Sequence, residues 1–380
     1  MRVPTTSFTL ALLLAAGGAV AVAAQTASPQ APITAEQPFA AKDFTETQVA
    51  RFDSPWAMTP APGGGFLVTE KAGTLKYLPI GPNAAARSVA GVPKVDDGGQ
   101  GGLMDVVFRP GTDMLYFSYS EAGAGGKGVA LARARFVQDA KGARLDNVET
   151  LFRTPKVDGN GHYSGRIAFA PDGHLFFTAG ERQKFDPAQD PKLTLGKVLR
   201  LTADGKPAPG NPLAAKGFDP AVWTYGHRNL LGIAFDAKGN LWEQEMGPKG
   251  GDELNLILPG RNYGYPLVSN GDHYDGRPIP DHPTRPDLEA PKASWNPVIS
   301  PAGLMIYSGA LFPAWRGNAF IGGLSSKALI RVAIDGTTAR EAARYDMGAR
   351  IREVEQGPDG AVYVLEDGPN ARLLRLTPKG

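Results

Sequence analysis

One phrase, repeated six times, constrains this chain most: a turn built on glycine, followed at once by a short apolar or alternating strand. It reads Gly64-Gly65-Phe66-Leu67-Val68-Thr69-Glu70, then Gly111-Thr112-Asp113-Met114-Leu115-Tyr116-Phe117, then Asp172-Gly173-His174-Leu175-Phe176-Phe177-Thr178. It returns as Lys238-Gly239-Asn240-Leu241-Trp242, as Arg316-Gly317-Asn318-Ala319-Phe320-Ile321-Gly322 and as Asp359-Gly360-Ala361-Val362-Tyr363-Val364-Leu365. Amphipathic helical periodicity is almost absent, so strands joined by turns are the expected content. From glycine to glycine the steps are 47, 62, 66, 78 and 43 residues. The shortest steps match one four-stranded propeller blade, and the longer ones leave room for inserted loops. The reading is an all-β chain: a six-bladed β-propeller of four-stranded blades with inserted loops, over residues 42–380. A large sandwich with fortuitous turns is the alternative, but it does not explain why every copy repeats the same turn-then-strand order.

Ahead of this domain the chain reads differently. Arg2 supplies a positive start, residues 8–15 an apolar core, and Val22-Ala23-Ala24 a small-residue cleavage site before Gln25. Residues 1–24 are therefore expected to be a secretory signal peptide, too short in its apolar run to span a bilayer. Residues 25–41, rich in Ala, Pro, Gln and Thr, read as a disordered leader. The expected location is a bacterial periplasm, with no membrane span. Cysteine is absent, which excludes a thiol nucleophile, a thiolate metal site and an iron–sulfur centre. The formal charge is +2 and no Lys/Arg cluster rises above the balance, so neither nucleic acid nor an anionic membrane is an expected partner.

In a propeller, chemistry belongs to loops at one end of the central channel, and the polar constellations lie in the longer steps. Asp97-Gly98-Gly99-Gln100-Gly101-Gly102 lets backbone approach a flat ligand while the Gln100 amide donates and accepts. It lacks the lysine and the following helix of a phosphate loop. Among five histidines, His162 in Asn160-Gly161-His162-Tyr163-Ser164-Gly165-Arg166 is the best candidate general base, flanked by glycine and leading into a strand. A lone histidine is more often structural or exposed than catalytic. Arg228 and Asn229, in Thr224-Tyr225-Gly226-His227-Arg228-Asn229, offer donors suited to carboxylate or quinone oxygens. Residues 245–266 are too rich in Gly and Pro for a helix; Gly247-Pro248 fixes a bend that exposes carbonyls, and Asp252 and Glu253 add carboxylates. Such oxygens suit a hard cation such as Ca2+, although taken alone the stretch reads more readily as an ordinary loop. Lys327 and the alternating pair Arg350 and Arg352 complete, with Arg228, a cationic set for a polyanionic small molecule; singly, each reads as a solvated surface charge.

Taken together, the motifs G-G-Q-G-G-L, H-Y-S-G-R-I-A-F-A-P-D-G, T-Y-G-H-R-N, G-P-K-G-G-D-E-L-N, R-N-Y-G-Y-P, L-S-S-K and R-I-R-E-V-E-Q-G-P-D-G resemble one family. That family is the soluble periplasmic aldose sugar dehydrogenases dependent on pyrroloquinoline quinone (PQQ), relatives of soluble glucose dehydrogenase. The resemblance runs in order from about residue 50 to the C-terminus. It implies a six-bladed propeller with PQQ held by Gln100, Arg228, Asn229, Lys327, Arg350 and Arg352, and Trp295 as a stacking partner. It implies His162 as the base that takes the sugar C1 hydroxyl proton as hydride passes to the quinone, with Arg228 beside it. The carbonyls of Gly247 and Pro248 would ligate a Ca2+ that also touches PQQ. Glu253 and the Tyr263 carbonyl would hold a second, structural Ca2+. Electrons would pass on to a quinone or cytochrome acceptor. Gly180-Glu181 departs from the glucose-specific relatives, which carry Gly-Asp there, and resembles the broader aldose branch.

Two other classes fit parts of the pattern. A Ca2+-dependent propeller lactonase would use the cation loop and His162 but has no need of Lys327, Arg350 and Arg352. A non-catalytic propeller binding module would have no reason to gather Gln100, His162 and Arg228 at one channel mouth.

Overall fold

The structure is a computed structural model that describes residues 33–81, 84–139 and 142–380. The signal peptide read at 1–24 and residues 25–32 of the leader lie outside the described residues. The chain is all-β. Among the described residues the helical content is four short 3-10 turns, at Asp186–Ala188, Ala214–Lys216, His282–Thr284 and Pro313–Trp315. No helix among them is long and apolar enough to cross a membrane.

The repeated glycine turns are the hairpins between the first and second strands of successive antiparallel meanders. Gly65, Gly111, Gly173, Gly239, Gly317 and Gly360 all have φ between 75° and 85°. At Gly111, Gly173, Gly239 and Gly317 a Cβ would meet nothing within 4 Å, so the left-handed backbone, not crowding, is what asks for glycine. The strands they lead into are Phe66–Glu70, Met114–Gly123, Leu175–Ala179, Leu241–Glu245, Ala319–Gly323 and Val362–Glu366. Asp172, Asp236 and Asp359 tighten three of the turns by accepting the amides of His174, Asn240 and Ala361 at 3.0, 2.9 and 3.2 Å.

Pro55–Pro60 begins the first meander and Leu103–Phe108 the second; Val89 and Ala90 pair in parallel with Ala143 and Arg144 to join the two into one eight-stranded sheet. Four-stranded sheets begin at Ser164–Phe169 and at Pro301–Ile306. The sheet that begins at Leu230–Phe235 gains a fifth strand, because Ile33–Thr34 from the leader pairs in parallel with Ser294 and Trp295. The last sheet begins at Ile351–Gln356, and its fourth strand is Phe44–Phe52 from the other end of the chain, paired with Ala371–Pro378. Ala371–Pro378 is thereby paired on both sides, and Phe44–Phe52 is the outer edge strand of the sheet. Each first strand touches the next, and Ile351–Gln356 touches Pro55–Pro60, so the first strands close into a ring.

The glycine spacing was uneven for two different reasons. Between Gly111 and Gly173 the extra length goes into two long strands, Gly126–Asp139 and Gly142–Arg153. Between Gly239 and Gly317 it forms an insert that carries the small ribbon of Lys249–Gly250 against Gly271–Asp272.

Apolar packing lies between neighbouring sheets and not at the ring centre. Met305, Phe320 and Leu329 of one sheet, for example, pack on Val354, Val364 and Leu374 of the next. Every first strand carries a bulge against its second strand, as between Pro55 and Ala57, Leu103 and Val106, and Ser164 and Ile167. Bulges re-aim side chains, and here they do so facing the ring axis. In three places a hydroxyl of the second strand fastens the bulge to the neighbouring sheet. Thr69 accepts the Ala57 amide at 2.9 Å and donates to the Met104 carbonyl at 2.7 Å. Ser118 does the same for Asp105 and Gly165, and Thr178 for Arg166 and Leu230.

Candidate active site

The starts of the first strands converge on a cavity of about 420 Å3 at one end of the ring. Its wall takes Pro55 and Trp56, Gln100 and Met104, Ser164, Asn229 and Leu231, Ser300, and Arg350 and Arg352. Later residues of the same strands, among them Asp105, Arg166 and Glu353, line a smaller cavity deeper along the axis. Between the two, Arg166 lies 4.1 Å from the Trp56 ring and bonds Asp105 at 3.2 Å, Glu353, and the Leu231 carbonyl at 2.8 Å. This buried ion network closes the floor of the upper cavity.

The wall of that cavity is basic and amide-rich. Arg350 and Arg352, aimed to one side by alternation, are held by a single carboxylate: Asp367 accepts from Arg350 Nε at 2.8 Å and from Arg352 Nε at 2.9 Å. Lys71 adds a third cation. The Gln100 side-chain oxygen accepts the His162 backbone amide at 2.7 Å, which leaves its NH2 group for a ligand. Lys327 is exposed, in left-handed backbone with φ 51°, and lines none of the cavities described; its neighbour Leu324 does. Trp295 is fully buried among core residues such as Leu254 and Ile330, and its indole N–H donates to Glu341 at 2.6 Å. The structure therefore does not bring Trp295 to the site: both faces of its strand are covered, and strand periodicity alone cannot tell a core face from a cavity face.

A second cavity, of about 250 Å3, is lined by His162, Glu181, Gln183, Phe185, Arg228, Tyr265 and Tyr274. The His162 Nδ1 is hydrogen-bonded to the Glu181 carboxylate, while its Nε2 makes no hydrogen bond among the described residues. The pairing implies that Nδ1 carries the proton and Nε2 presents a lone pair. Burial, with Arg228 and Arg182 nearby, holds the His162 pKa below its ordinary value despite the opposing pull of Glu181. For Glu181 burial works the other way, but the bonds from His162 and the Phe185 amide outweigh it and keep the carboxyl below its ordinary value. Gly180, just ahead of Glu181, passes so close to the His162 carbonyl that a Cβ would lie 2.1 Å from it, so only glycine fits.

Arg228 joins this cavity to the Gly247 bend. Its guanidinium donates to the carbonyls of Met246 at 3.0 Å and Gly247 at 2.7 Å, and its buried Nε has no partner among the described residues. Asp252 does not face outward as a cation ligand. It accepts the amides of Gly247, Ile299 and Ser300 at 2.9, 2.8 and 2.7 Å, and so pins the bend. Burial pushes its pKa up to about 7. Glu245, Glu253, Gly247, Pro248 and Tyr263 enclose a void of about 10 Å3, the room of one water or ion. Beside it Glu243, Glu245 and Glu253 surround the Asn255 amide, whose NH2 lies 3.2–3.3 Å from all three. Burial and its two acidic neighbours push Glu243 well above the ordinary carboxylate range. His227, Glu243 and Glu245 place ligand atoms within 4.8 Å of one another, the one such metal-competent group among the described residues.

Sequence reasoning missed Lys71, Asp367, and Glu243 with Glu245. Lys71 is indistinguishable from any turn lysine, and Asp367 lies 15 residues beyond Arg352. Period-two spacing of Glu243 and Glu245 was the available signal for one acidic face.

The chain is similar in sequence and fold to known proteins. The family model described as Glucose / Sorbosone dehydrogenase matches residues 52–375. Aldose sugar dehydrogenase YliI of Escherichia coli is 37% identical over 341 residues, covering 87% of this chain and 91% of that protein. The crystal structure of the soluble aldose sugar dehydrogenase of Escherichia coli in its apo form superposes with a TM-score of 0.83 at 34% identity, over 88% of this chain and all of that one. The PQQ-bound aldose sugar dehydrogenase of Streptomyces coelicolor superposes with a TM-score of 0.71 at 28% identity, over 90% of this chain and 100% of that one. This chain belongs to the glucose/sorbosone dehydrogenase family, a family of oxidoreductases.

Proposed function

We propose that this chain is a PQQ- and Ca2+-dependent dehydrogenase, exported to the periplasm, that oxidises the anomeric carbon of aldoses to give lactones. The scaffold proposed for it is a six-bladed β-propeller, a reading supported by the closed ring of first strands and the hairpin glycine in each meander. The observation that carries the function is the His162–Glu181 pair opening on one cavity, with a basic, amide-lined cavity alongside.

The residues present suit PQQ, a flat quinone with three carboxylates. Lys71, Arg350 and Arg352 outnumber Asp367 on the larger wall, Gln100 and Asn229 add amides, and Arg228, on the neighbouring cavity, has a buried Nε with no partner among the described residues. When bound, PQQ supplies the quinone that accepts hydride from the sugar. The chain does the rest. His162 Nε2 takes the proton of the C1 hydroxyl, Glu181 holds the ring and stabilises the imidazolium that forms, and Arg228 places a positive charge beside the reacting oxygen. Gly247 and Pro248 would hold one Ca2+ through their carbonyls. Glu253 and the Tyr263 carbonyl would hold the second at the ion-sized void.

A lactone hydrolase would leave the Arg350–Arg352–Asp367 wall without a purpose. Mixing the purified protein with PQQ and Ca2+, adding an aldose and following an artificial electron acceptor tests the proposal. Acceptor reduction that stops with a strong chelator and returns with Ca2+ is the expected result. An inert mixture across several aldoses, with PQQ shown to be bound, sinks it.

A further inference from the structure

The segment after Gly180 departs from ordinary backbone. Arg182, Gln183 and Phe185 have φ of 64°, 60° and 62°, three non-glycine residues with positive φ within four positions. Each such residue costs stability and persists only where its surroundings over-determine it. They do so here. The buried Arg182 guanidinium donates to the carbonyls of Gly161, Lys127 and Gly159 at 2.8, 2.7 and 2.7 Å and lies 3.7 Å from the Tyr163 ring. The second oxygen of Glu181 accepts the Phe185 amide at 2.7 Å, and the Phe185 carbonyl accepts the Ala188 amide at 3.1 Å.

What this construction presents is a phenylalanine left 43% exposed on the wall of the His162 cavity. Core packing does not explain it, since most of the family of aromatic side chains in the sheets is buried while this one stands open to the cavity. Its ring lies 6.3 Å from that of Tyr265 and 5.7 Å from that of His273. Polar groups, among them Gln183, Arg228 and Asp275, surround the aromatic surface in the same cavity. An apolar ring face framed by hydrogen-bonding groups matches a pyranose, which offers a face of C–H groups and an edge of hydroxyls. The volume of about 250 Å3 is close to the lower limit of small-molecule pockets and suits a single sugar ring. Because Glu181 bonds both His162 and the Phe185 amide, one carboxylate sets the position of the base relative to the aromatic surface.

We propose that Phe185 is the platform on which the pyranose ring of the substrate stacks, which makes it a specificity-determining residue of this site. The proposal rests on the dehydrogenase reading for its substrate class, and the test separates the two. Binding is measured first, by saturation-transfer NMR with methyl α-glucopyranoside, a sugar with no free anomeric hydroxyl to oxidise. Kinetics follow on the PQQ- and Ca2+-loaded protein with glucose. Phe185→Ala is expected to lose most of the NMR transfer and to raise KM about 10-fold with kcat little changed, the pattern of lost ring binding. Phe185→Tyr, which keeps the ring, is expected to restore both. A folded Phe185→Ala protein with wild-type transfer and KM overturns the platform while leaving the dehydrogenase reading intact. Transfer that depends on Phe185 in a protein that oxidises no aldose upholds the platform and overturns the reading. If Phe185→Tyr fails as badly as Phe185→Ala in a folded protein, the loop and not the ring is responsible, and the proposal falls.

Discussion

Two histidine–glutamate pairs occupy matching places in successive sheets. His162 follows Gly161 ahead of the strand Ser164–Phe169, and its Nδ1 meets Glu181 just past the second strand. His227 follows Gly226 ahead of Leu230–Phe235, and its Nδ1 meets Glu245 at the end of its second strand, at 2.9 Å. The pairs differ in what lies beyond the ring. His227 Nε2 is bonded to Thr224 Oγ1 at 2.9 Å, and Tyr263 stacks on the imidazole at 4.6 Å and 23°. His162 instead lines a cavity, and its Nε2 makes no hydrogen bond among the described residues. The difference comes from Thr224, which bonds one ring, and from the insert, which lays Tyr263 on that ring but sets Tyr265, His273 and Tyr274 around a cavity at the other. On the proposed reading, chemistry depends less on which residues are paired than on which pair keeps a cavity beside its ring.

The sharpest way to break that comparison is to make the same substitution at both places. His162→Gln is expected to lower kcat about 10²–10⁴-fold, because the amide can orient a hydroxyl but cannot take its proton. PQQ binding and the melting temperature should change little. His227→Gln is expected to do the reverse: about 1–3 kcal/mol of stability is lost as buried partners go unsatisfied, with turnover of the folded protein largely kept. Steady-state rates and melting curves on the two variants decide it. Near wild-type kcat in folded His162→Gln would end the assignment of His162 as base.

The same contrast holds for arginines. Arg352 borders the large cavity, whereas Arg166 is enclosed by Trp56, Asp105 and Glu353. Arg166→Ala leaves two buried carboxylates without their cation and is expected to cost about 3–5 kcal/mol of stability. Arg352→Ala is expected to spare the fold and weaken PQQ binding by about 1.5–3 kcal/mol, the range of a charge-assisted hydrogen bond. Chemical denaturation and titration with PQQ measure the two effects. A clean loss of fold in Arg352→Ala with intact PQQ affinity would exchange the two roles.

How much of this was legible in the sequence follows from how local each feature is. The hairpin glycines were readable because a left-handed turn leaves the same mark at every copy, whatever packs around it. Arg350 and Arg352 were readable as a pair because strand alternation is local; their shared Asp367 was not, since it comes from a loop beyond the next strand. Asp252 looked like a cation ligand because its chemistry fits one, and only the folded chain shows its oxygens taken up by three amides. Trp295 shows the same limit from the apolar side. Sheets stacked on both faces bury both faces, so a large aromatic on a strand says little about which cavity, if any, it meets.

The finest test of the open pair is a pH profile of Glu181→Gln. Burial is the main force lowering the His162 pKa, and Arg228 and Arg182 act in the same direction, while the Glu181 carboxylate opposes them. Glutamine keeps an oxygen that can accept the Nδ1–H but removes the negative charge. The opposing pull therefore disappears, burial and the arginines remain, and the imidazole becomes harder to protonate. A base works when neutral, that is, above its pKa. A lower pKa thus carries the acid limb of kcat/KM to lower pH, so the variant should hold its activity further into acid than the wild type does. Its plateau should nonetheless fall, by less than in His162→Gln, since the charge that stabilised the imidazolium during proton transfer is gone. These two changes run in opposite directions, and loss of structure alone would not produce that pattern. An acid limb that stays in place or moves to higher pH would show that Glu181 does not act on the titration of His162, and the open pair would then differ from the closed one in access alone.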